Sequence, residues 1–331
     1  MVSVIVPCRN EELYIGNFFD SIVTQDYGIE NIELLIVDGI SSDRTVDIIQ
    51  DYRKRYNSII LLHNEKRTVP ISLNLAILNA KHEIVIRMDV HCVYPKNYIS
   101  VLLKYKFLDG VENVGCVLST RSKTGSIKSE SISKALSSYV GVGNSLFRTG
   151  VSKPTFVDTV PFGCFHKSIF ERLGNFDTEL IRNQDDEFNG RIIKNGGKIL
   201  LISEISITYF PRENFSGLFR MYFQYGFYKR LVNLKLNKSM SLRQYAPPLF
   251  ILFLCSIIPL ILFDLNYLLN IYYLLVIVYI LIILTETLRL VFTSSSFRLV
   301  FYLPLTFIIL HLSYGVGYLL GNFYWLFKKN R

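Results

Sequence analysis

The sequence is poor in cysteine, and its cysteines show no pairing pattern. They number five, with no CxxC pair: Cys8, Cys92, Cys116, Cys164 and Cys255. This pattern indicates neither a disulfide framework nor a zinc site, and it implies a reducing compartment. The chain opens directly on the apolar run VSVIVP, without the basic start, apolar core and cleavage site of a signal peptide. We therefore expect the N-terminal part of the protein to be cytosolic.

Nucleic-acid-binding signatures are also missing, although the formal net charge is +9. No zinc-finger, helix-turn-helix or RNA-binding sheet pattern accompanies the basic residues, which disfavours nucleic acid as a partner. Seven basic residues and one acidic residue lie between Arg212 and Arg243, directly before an apolar C-terminal part. Such a segment suits anionic lipid head groups and phosphates at the cytoplasmic face of a membrane. Membrane lipids are its predicted partner.

Hydrophobic residues make up 50% of the chain and concentrate in its last third. Three apolar stretches lie there, at 247–263, 265–284 and 299–327. Because about 20 residues cross a bilayer core, the second and third qualify as spans. The first is short and contains Pro248 and Pro259, which is typical of a strained span or a re-entrant hairpin. We predict a multi-pass membrane domain at residues 246–328 with two to three helices, whose topology the loop charges do not decide.

The first two thirds of the chain alternate strand-like and helix-like segments. Short apolar runs at 2–7, 32–37, 59–63 and 83–88 predict strands, and segments with helical periodicity separate them. Such alternation predicts an α/β fold with a mostly parallel, mixed sheet covered on both faces. Ligands of these sheets sit at the carboxyl ends of the strands. We assign residues 1–235 to this cytosolic domain.

Acidic side chains follow two of these strands. Asp38 ends the second strand before a Gly-Ile-Ser-Ser-Asp turn, where its carboxylate can accept hydrogen bonds from a nucleobase or ribose. The alternative is that Asp38 only caps the next helix. Capping of that helix is our interpretation of Asp43.

Asp89 and His91 follow the fourth strand two residues apart, a spacing that can present both to one divalent metal. The alternative is a surface carboxylate and a hydrogen-bonded loop histidine. An imidazole ligand favours Mn²⁺ over Mg²⁺.

Three consecutive acids, Asp185, Asp186 and Glu187, come before a helix-like run. Repulsion among crowded carboxylates raises at least one pKa, which can tune a general base. The alternative is that these acids only complement the helix dipole.

Five motifs in order carry a family resemblance: SVIVPCRNEE, ELLIVDGISSDRT, RMDVHCVYP, GNFDTEL and QDDEFNGRI. Over about residues 1–235 they resemble the family 2 glycosyltransferases, which have the GT-A fold (Rossmann-like). The later HLSYGVGYLLG, together with the membrane tail, is similar to bacterial transferases of the succinoglycan-biosynthesis type.

The resemblance implies roles for individual residues. Donor or nucleotide contacts are expected from six of them: Pro7, Arg9, Glu11, Asp38, Arg87 and Asp89. Asp89 and His91 are the expected metal ligands, with Mn²⁺ preferred to Mg²⁺, and Asp185 is the expected base that deprotonates the acceptor. Asp186 and Glu187 are expected near the acceptor or the diphosphate. Two positions depart from the pattern, since His91 replaces the usual Asp and Gln184 stands where Glu is common.

A basic, aromatic segment at 213–232 is predicted to form an interfacial helix that holds the active site against the bilayer. Arg212 beside this segment, and Gln224 and Lys229 within it, are expected near the donor diphosphate or a lipid phosphate. The alternative is a domain helix that packs its aromatic face on the sheet.

The resemblance implies an inverting transferase that moves sugar from a nucleotide-sugar, with uridine diphosphate as the implied nucleotide. The expected acceptor is a polyprenyl-linked glycan used for exopolysaccharide, capsule or another cell-surface glycan. Two alternatives stay open: a polyprenyl-phosphate monoglycosyltransferase, and a catalytically silent membrane scaffold that only binds a nucleotide-sugar.

Overall fold

The computed structural model describes residues 1–239 and 241–329, and contacts between Cα atoms divide them into two units. The first unit contains residues 1–119, 150–209 and 235–239. The second contains residues 120–149, 210–234 and 241–329. The second unit therefore includes a segment from the middle of the predicted cytosolic domain. As functional divisions, 1–235 and 246–328 stay predictions.

The strands of the described chain lie in the first unit, apart from the last residue of one of them, Thr120, and form one sheet of nine. They are β1 (Val2–Cys8), β2 (Ile32–Asp38), β3 (Ile59–His63), β4 (Ile84–Arg87), β5 (Cys92–Val93), β6 (Val111–Thr120), β7 (Thr155–Phe156), β8 (Gly163–His166) and β9 (Lys198–Tyr209). Their order is β3-β2-β1-β4-β8-β6-β9-β5, with β7 paired to β9. Six helices belong to this unit: α1 (Ile15–Val23), α2 (Thr45–Arg53), α3 (Val69–Asn79), α4 (Tyr98–Lys106), α8 (Ser168–Leu173) and α9 (Gln184–Lys194).

The sheet is parallel in one part and antiparallel in the other. β1 pairs in parallel with β2 and β4, and β2 pairs in parallel with β3. β8 is antiparallel to both β4 and β6, while β5 and β7 are antiparallel to β9. The α/β class with a mixed sheet is confirmed, but the parallel part is limited to the first four strands. The expectation that most of the sheet is parallel was too broad.

Burial explains why the parallel strands can be predicted from the sequence. All seven residues of β2 are buried, and all but Pro7 are buried in β1. A parallel strand covered on both faces reads as an uninterrupted apolar run rather than an alternating one. The apolar runs therefore place β1 and β2 at the centre of the core.

The described helices of the second unit fall into three groups. A segment between β6 and β7 forms α5 (Ile127–Ala135), α6 (Tyr139–Val142) and α7 (Leu146–Thr149). Helix α10 (Phe215–Leu236) follows β9, and its residues up to Leu234 lie in this unit. The C-terminal part forms α11 (Ala246–Cys255), α12 (Ile257–Leu262), α13 (Asn266–Ser294) and α14 (Leu299–Lys329).

The predicted interfacial helix is a helix, and part of its apolar face lies in the core of the second unit. Leu218, Met221 and Tyr222 of α10 are buried there with side chains of α5, α13 and α14, whereas Phe219 is exposed. Glycines bring α10 and α14 close together, because a Cβ at Gly317 would meet the carbonyl of Phe223. Small residues permit this approach of backbones.

Three described segments are long and apolar enough to cross a membrane: Leu242–Leu262, Asn266–Ser294 and Leu299–Lys328. This agrees with the upper number of spans predicted. The first is interrupted at Ser256, between α11 and α12, and Pro248 lies in the first turn of α11. A proline at a helix start loses no intrahelical hydrogen bond.

Candidate active site

The loops that follow β1, β2 and β4 leave the sheet at the same edge. Cys8 is the register partner of Asp38, and Ile5 is the partner of Arg87, so these three parallel strands end close together. The carboxyl edge of parallel strands is where α/β sheets bind ligands. The candidate donor and metal residues thus lie on neighbouring loops, as the sequence predicted.

The loops after β1 and β2 are joined by hydrogen bonds. The backbone N–H of Glu11 donates to the Thr45 hydroxyl at 2.7 Å, and that of Ser42 donates to the side-chain oxygen of Asn10 at 2.8 Å. Asp43 accepts from the Thr45 N–H at 3.1 Å and from the Glu12 N–H at 3.2 Å. Burial raises the pKa of Asp43, but its hydrogen bonds with Thr45 and Glu12 together lower the pKa by more, so the net shift is downward. The N-cap of α2 is Arg44 rather than the predicted Asp43, which accepts from the N–H of Thr45, the first residue of the helix.

Asp38 is buried at the end of β2. One of its oxygens accepts from the Ser41 hydroxyl at 2.5 Å and the other from the Ser41 N–H at 3.0 Å. The His63 Nδ1 atom lies 3.8 Å from the same carboxylate. Asp38 therefore stabilises its own turn in this structure, and its contact with a nucleobase stays a prediction.

Pro7 and Arg9 border this edge. Pro7 is half-buried within β1, opposite Val37 of β2. Arg9 is exposed, and its side chain lies against Gly39, where a Cβ would come within 3.3 Å of it. The absence of a side chain at position 39 gives the Arg9 side chain room at the mouth of the site.

His91 lies between two carboxylates. Its Nε2 atom is 3.3 Å from Oε2 of Glu11, and its Nδ1 atom is 3.3 Å from Oδ1 of Asp89. The His91 backbone N–H also donates to Oδ1 of Asp89 at 2.9 Å, and the Tyr14 ring packs 4.6 Å from the imidazole, between ring centroids. The structure thus brings together three predicted site residues, Glu11, Asp89 and His91.

Asp89 is held in its charged form. Burial alone raises its pKa, but hydrogen bonds from His91 and the positive charges of His91 and Arg87 lower the pKa to about 2. Within the described residues, no three His, Cys, Asp or Glu side chains are grouped so as to hold a metal by themselves. An ionised carboxylate and an imidazole two residues apart suit a metal that takes its remaining ligands from a bound diphosphate.

Asp185 lies in the first turn of α9 and forms an ion pair with Arg87, between Oδ1 and Nη1. Arg87 is the last residue of β4, and its side chain is 5% exposed. The predicted base and the strand that leads to Asp89 are therefore in direct contact.

The other acids of this turn differ in their surroundings. Asp186 is half-buried, and Gln184 is buried. Both Glu187 oxygens meet the Arg191 guanidinium, at 2.7 and 2.8 Å. Burial raises the pKa of Glu187 more than Arg191 lowers it. A raised pKa among these acids was expected from mutual repulsion, but it is found at Glu187 and burial is its main cause.

Sequence reasoning missed the residues that hold α9 in place. The Asn189 amide donates to the Thr159 hydroxyl at 2.8 Å and to the Val160 carbonyl at 2.9 Å. Arg191 donates to the carbonyls of Leu173 and Asn175, at 2.5 and 2.7 Å. A signal was present, since an asparagine next to Phe188 on the apolar face of a helix needs buried partners.

Three predicted residues lie in the second unit. Arg212 is exposed before α10, and Gln224 and Lys229 are half-buried on α10. Their expected contacts with phosphate stay predictions.

A sequence model of a known family matches this chain. The model described as "Glycosyl transferase family 2" matches residues 3–174, which is more than half of the chain. The chain belongs to glycosyl transferase family 2.

Named relatives of this family 2 transferase act on glycans. It is 33% identical over 240 residues to a dolichyl N-acetyl-alpha-D-glucosaminyl phosphate 3-beta-D-2,3-diacetamido-2,3-dideoxy-beta-D-glucuronosyltransferase of Methanococcus voltae, covering 70% of this chain and 73% of that one. It is 27% identical over 246 residues to the succinoglycan biosynthesis protein ExoA of Rhizobium meliloti, covering 74% and 73%. The resemblance to the succinoglycan type is thereby confirmed.

Solved structures confirm the GT-A fold. A mannosyltransferase of Pyrobaculum calidifontis, in complex with GDP-Man and Mn²⁺, matches with a TM-score of 0.58 at 17% identity, over 95% of this chain and 86% of that one. Residues 1–349 of TarS from S. aureus, in complex with UDP-GlcNAc, match with a TM-score of 0.52 at 18% identity, over 75% and 69%. At these identities the likeness shows the fold alone.

Proposed function

We propose that this family 2 glycosyltransferase moves a sugar from a nucleotide-sugar donor to a lipid-linked glycan acceptor, with inversion at the anomeric carbon. The observation that supports it best is the meeting of four sequence motifs at one edge of the sheet. Glu11 meets His91, Asp89 meets His91, and Asp185 meets Arg87. Asp38 ends the strand beside β1 at the same edge.

The donor side of the proposal uses the loops after β1 and β2. Pro7, Arg9, Glu11 and Asp38 would hold the nucleoside diphosphate, with uracil as the proposed base. The buried Asp38 carboxylate can accept from a uracil N–H or a ribose hydroxyl once the Ser41 hydroxyl yields its place. The solved neighbours were obtained with a UDP-sugar and with a GDP-sugar, so a nucleotide-sugar suits the fold.

Asp89 and His91 would hold a divalent metal, with Mn²⁺ preferred to Mg²⁺ because of the imidazole. When bound, that metal supplies positive charge that neutralises the diphosphate leaving group. Asp89 contributes a carboxylate whose pKa is lowered by its hydrogen bonds with His91 and by the charge of Arg87. Glu11 holds the imidazole from its other side at 3.3 Å.

Asp185 is the proposed general base. Its carboxylate takes the proton of the acceptor hydroxyl while that oxygen attacks C1 from the face opposite the diphosphate. The bond between C1 and the acceptor oxygen forms as the bond between C1 and the phosphate oxygen breaks. The nucleoside diphosphate leaves, and the proton stays on Asp185. Asp186 is the proposed second contact to the acceptor, whereas Glu187 is occupied by Arg191.

The acceptor side rests on the apolar C-terminal part. Three described segments are long and apolar enough to cross a membrane, which supports a membrane location. The named relatives include a transferase named for dolichyl N-acetyl-alpha-D-glucosaminyl phosphate and a succinoglycan biosynthesis protein. We propose a polyprenyl-linked glycan as acceptor and a cytoplasmic location for the first unit. Arg212, Gln224 and Lys229 are the proposed contacts to the lipid phosphate.

The test uses membranes that contain the whole protein. Each of a panel of radiolabelled UDP- and GDP-sugars is supplied with lipid-linked acceptors, and the label in extracted lipid is measured and its glycan sized after mild acid release. The proposal predicts label from one UDP-sugar on a glycan longer than one sugar. A single sugar on lipid phosphate would replace the proposal by a polyprenyl-phosphate monoglycosyltransferase. Donor binding without any transfer would replace it by the silent scaffold.

A further inference from the structure

Arg87 is a permanently charged group in an interior position. It lies at the centre of the sheet, paired with Ile5 of β1 on one side and with Gly163 of β8 on the other. Its side chain is 5% exposed. A guanidinium keeps its proton in proteins, so a buried arginine needs a carboxylate or a set of acceptors to offset the loss of water. Asp185 supplies that carboxylate.

Two residues with positive φ, Phe162 and Gly163, lie beside the Arg87 guanidinium. Phe162 has φ of 64°, a left-handed conformation that costs free energy for a bulky side chain. Its ring lies 5.5 Å from the guanidinium carbon, within the range of a cation–π contact. Gly163 follows with φ of 121°, and a Cβ there would meet the Asn113 side chain. The strained turn thus places an aromatic ring on the guanidinium.

Asp185 is less enclosed than its partner. Its side chain is 21% exposed, and its Oδ1 atom is the one that meets Arg87. The second oxygen is then the one available to an acceptor hydroxyl. A carboxylate fixed through one oxygen has fewer orientations to lose when it takes a proton from a bound hydroxyl.

We propose that Arg87 is a positioning residue that acts through Asp185, and that it does not contact the nucleotide-sugar. This rests on the proposed function, because it assigns Arg87 a part in the transfer step for which Asp185 is the base. It replaces the donor-binding role that the resemblance implied for Arg87. In the same chain, Arg172 and Glu112 form an arginine–carboxylate pair at 2.7 Å with an exposed arginine, which offers a matched control.

The experiment compares Arg87→Gln, Arg87→Lys, Asp185→Asn and the double variant Arg87→Gln/Asp185→Asn in the full chain, with Arg172→Gln as control. The readouts are kcat, KM for the donor, and the Kd of the donor nucleotide by calorimetry. We expect Arg87→Gln to lower kcat by about 10- to 100-fold and to change the donor Kd by less than about twofold. Arg87→Lys should retain more activity than Arg87→Gln, and Arg172→Gln should match wild type.

The double variant separates an effect through Asp185 from an independent one. If Arg87 acts only through Asp185, adding Arg87→Gln to Asp185→Asn lowers kcat by less than about twofold more. Losses that multiply in the double variant would overturn the proposal, and so would a donor Kd weakened tenfold or more at unchanged kcat. If Asp185→Asn alone kept wild-type kcat, the proposed base would fail, whatever Arg87 does.

Folding is followed in the same set. Asp185→Asn leaves the buried Arg87 without its carboxylate, so that variant should unfold at a lower temperature than wild type. The double variant replaces the ion pair by two neutral amides and should recover part of the loss. If Arg87→Gln does not fold, the double variant and Arg87→Lys still test the coupling.

Discussion

The side-chain amide of Asn113 donates a hydrogen bond to the side-chain oxygen of Asn189 over 2.8 Å. Both residues are buried, and the contact joins β6 to α9. Asn189 also donates to Thr159 and Val160, so one helical side chain has partners on two segments of the first unit. Because α9 begins with the turn that carries Asp185, this network fixes where the proposed base stands.

Replacing Asn189 by Ala should destabilise the protein. The change leaves the Asn113 amide and the Val160 carbonyl buried without Asn189, at a cost of about 1–3 kcal/mol for each such group. The free energy of unfolding in detergent is the measurement. Asn195→Ala, at the exposed end of the same helix, is the control and should change it by less than about 0.5 kcal/mol. Equal effects of the two substitutions would contradict the role of the network.

Gly317→Ala should disturb the packing of α10 on α14. The added Cβ would meet the carbonyl of Phe223, and backbone atoms of a packed helix yield only at a cost of about 1–3 kcal/mol. Gly16→Ala on α1 is the matched control, because nothing lies within 4 Å of its Cβ position. That control should stabilise the chain by up to about 1 kcal/mol through helix propensity. Thermal unfolding of the two variants in one detergent checks the opposite signs.

The parallel strands and the C-terminal apolar helices could be predicted from the sequence, and much of the other half of the sheet could not. Apolar runs mark β1 and β2 because both faces of these strands are buried. Strand β8 has only four residues, Gly163–His166, and its neighbours in the sheet, β4 and β6, are distant in sequence. Local patterns contain no information on such pairings.

The candidate site could also be predicted from the sequence only in part. Asp38, Asp89 and His91 follow strands in the sequence, so their common edge could be predicted. The contact of Arg87 with Asp185 could not be predicted, because the two residues are far apart in the sequence and the antiparallel strand β8 lies between them in the chain. The inclusion of residues 120–149 in the second unit was likewise unexpected. Apolar side chains at Ile132, Ala135 and Leu136 bury against α14, and their spacing does not say which partner they have.

The pH dependence of stability should change in Glu187→Gln. Burial raises the pKa of Glu187 above its usual 4.5, so the folded protein holds this proton more tightly than the unfolded chain. The contribution of Glu187 to stability is therefore fully present below its unfolded pKa and is lost as pH rises through the folded pKa. The free energy of unfolding of wild type, minus that of Glu187→Gln, should fall as pH rises from the unfolded pKa of 4.5 through the raised pKa of the folded state. A constant or rising difference would contradict the shift.

The metal preference should follow the residue at position 91. His91→Asp exchanges an imidazole for a carboxylate, and Mg²⁺ favours oxygen ligands more strongly than Mn²⁺ does. After chelation of the membranes, the ratio of the transfer rate with Mn²⁺ to that with Mg²⁺ should fall in this variant. His166→Asp, outside the site, should leave the ratio unchanged. An unchanged ratio in His91→Asp would remove this residue from the proposed metal ligands.

The most direct test of the central claim is transfer of labelled sugar into the lipid fraction by Asp185→Asn, compared with wild type and with the exposed control Asp109→Asn at saturating donor. The proposal predicts that Asp185→Asn binds the donor nucleotide with wild-type affinity and loses about 10²- to 10⁴-fold in transfer rate, while Asp109→Asn matches wild type. Transfer by Asp185→Asn at the wild-type rate would contradict the assignment of Asp185 as the base.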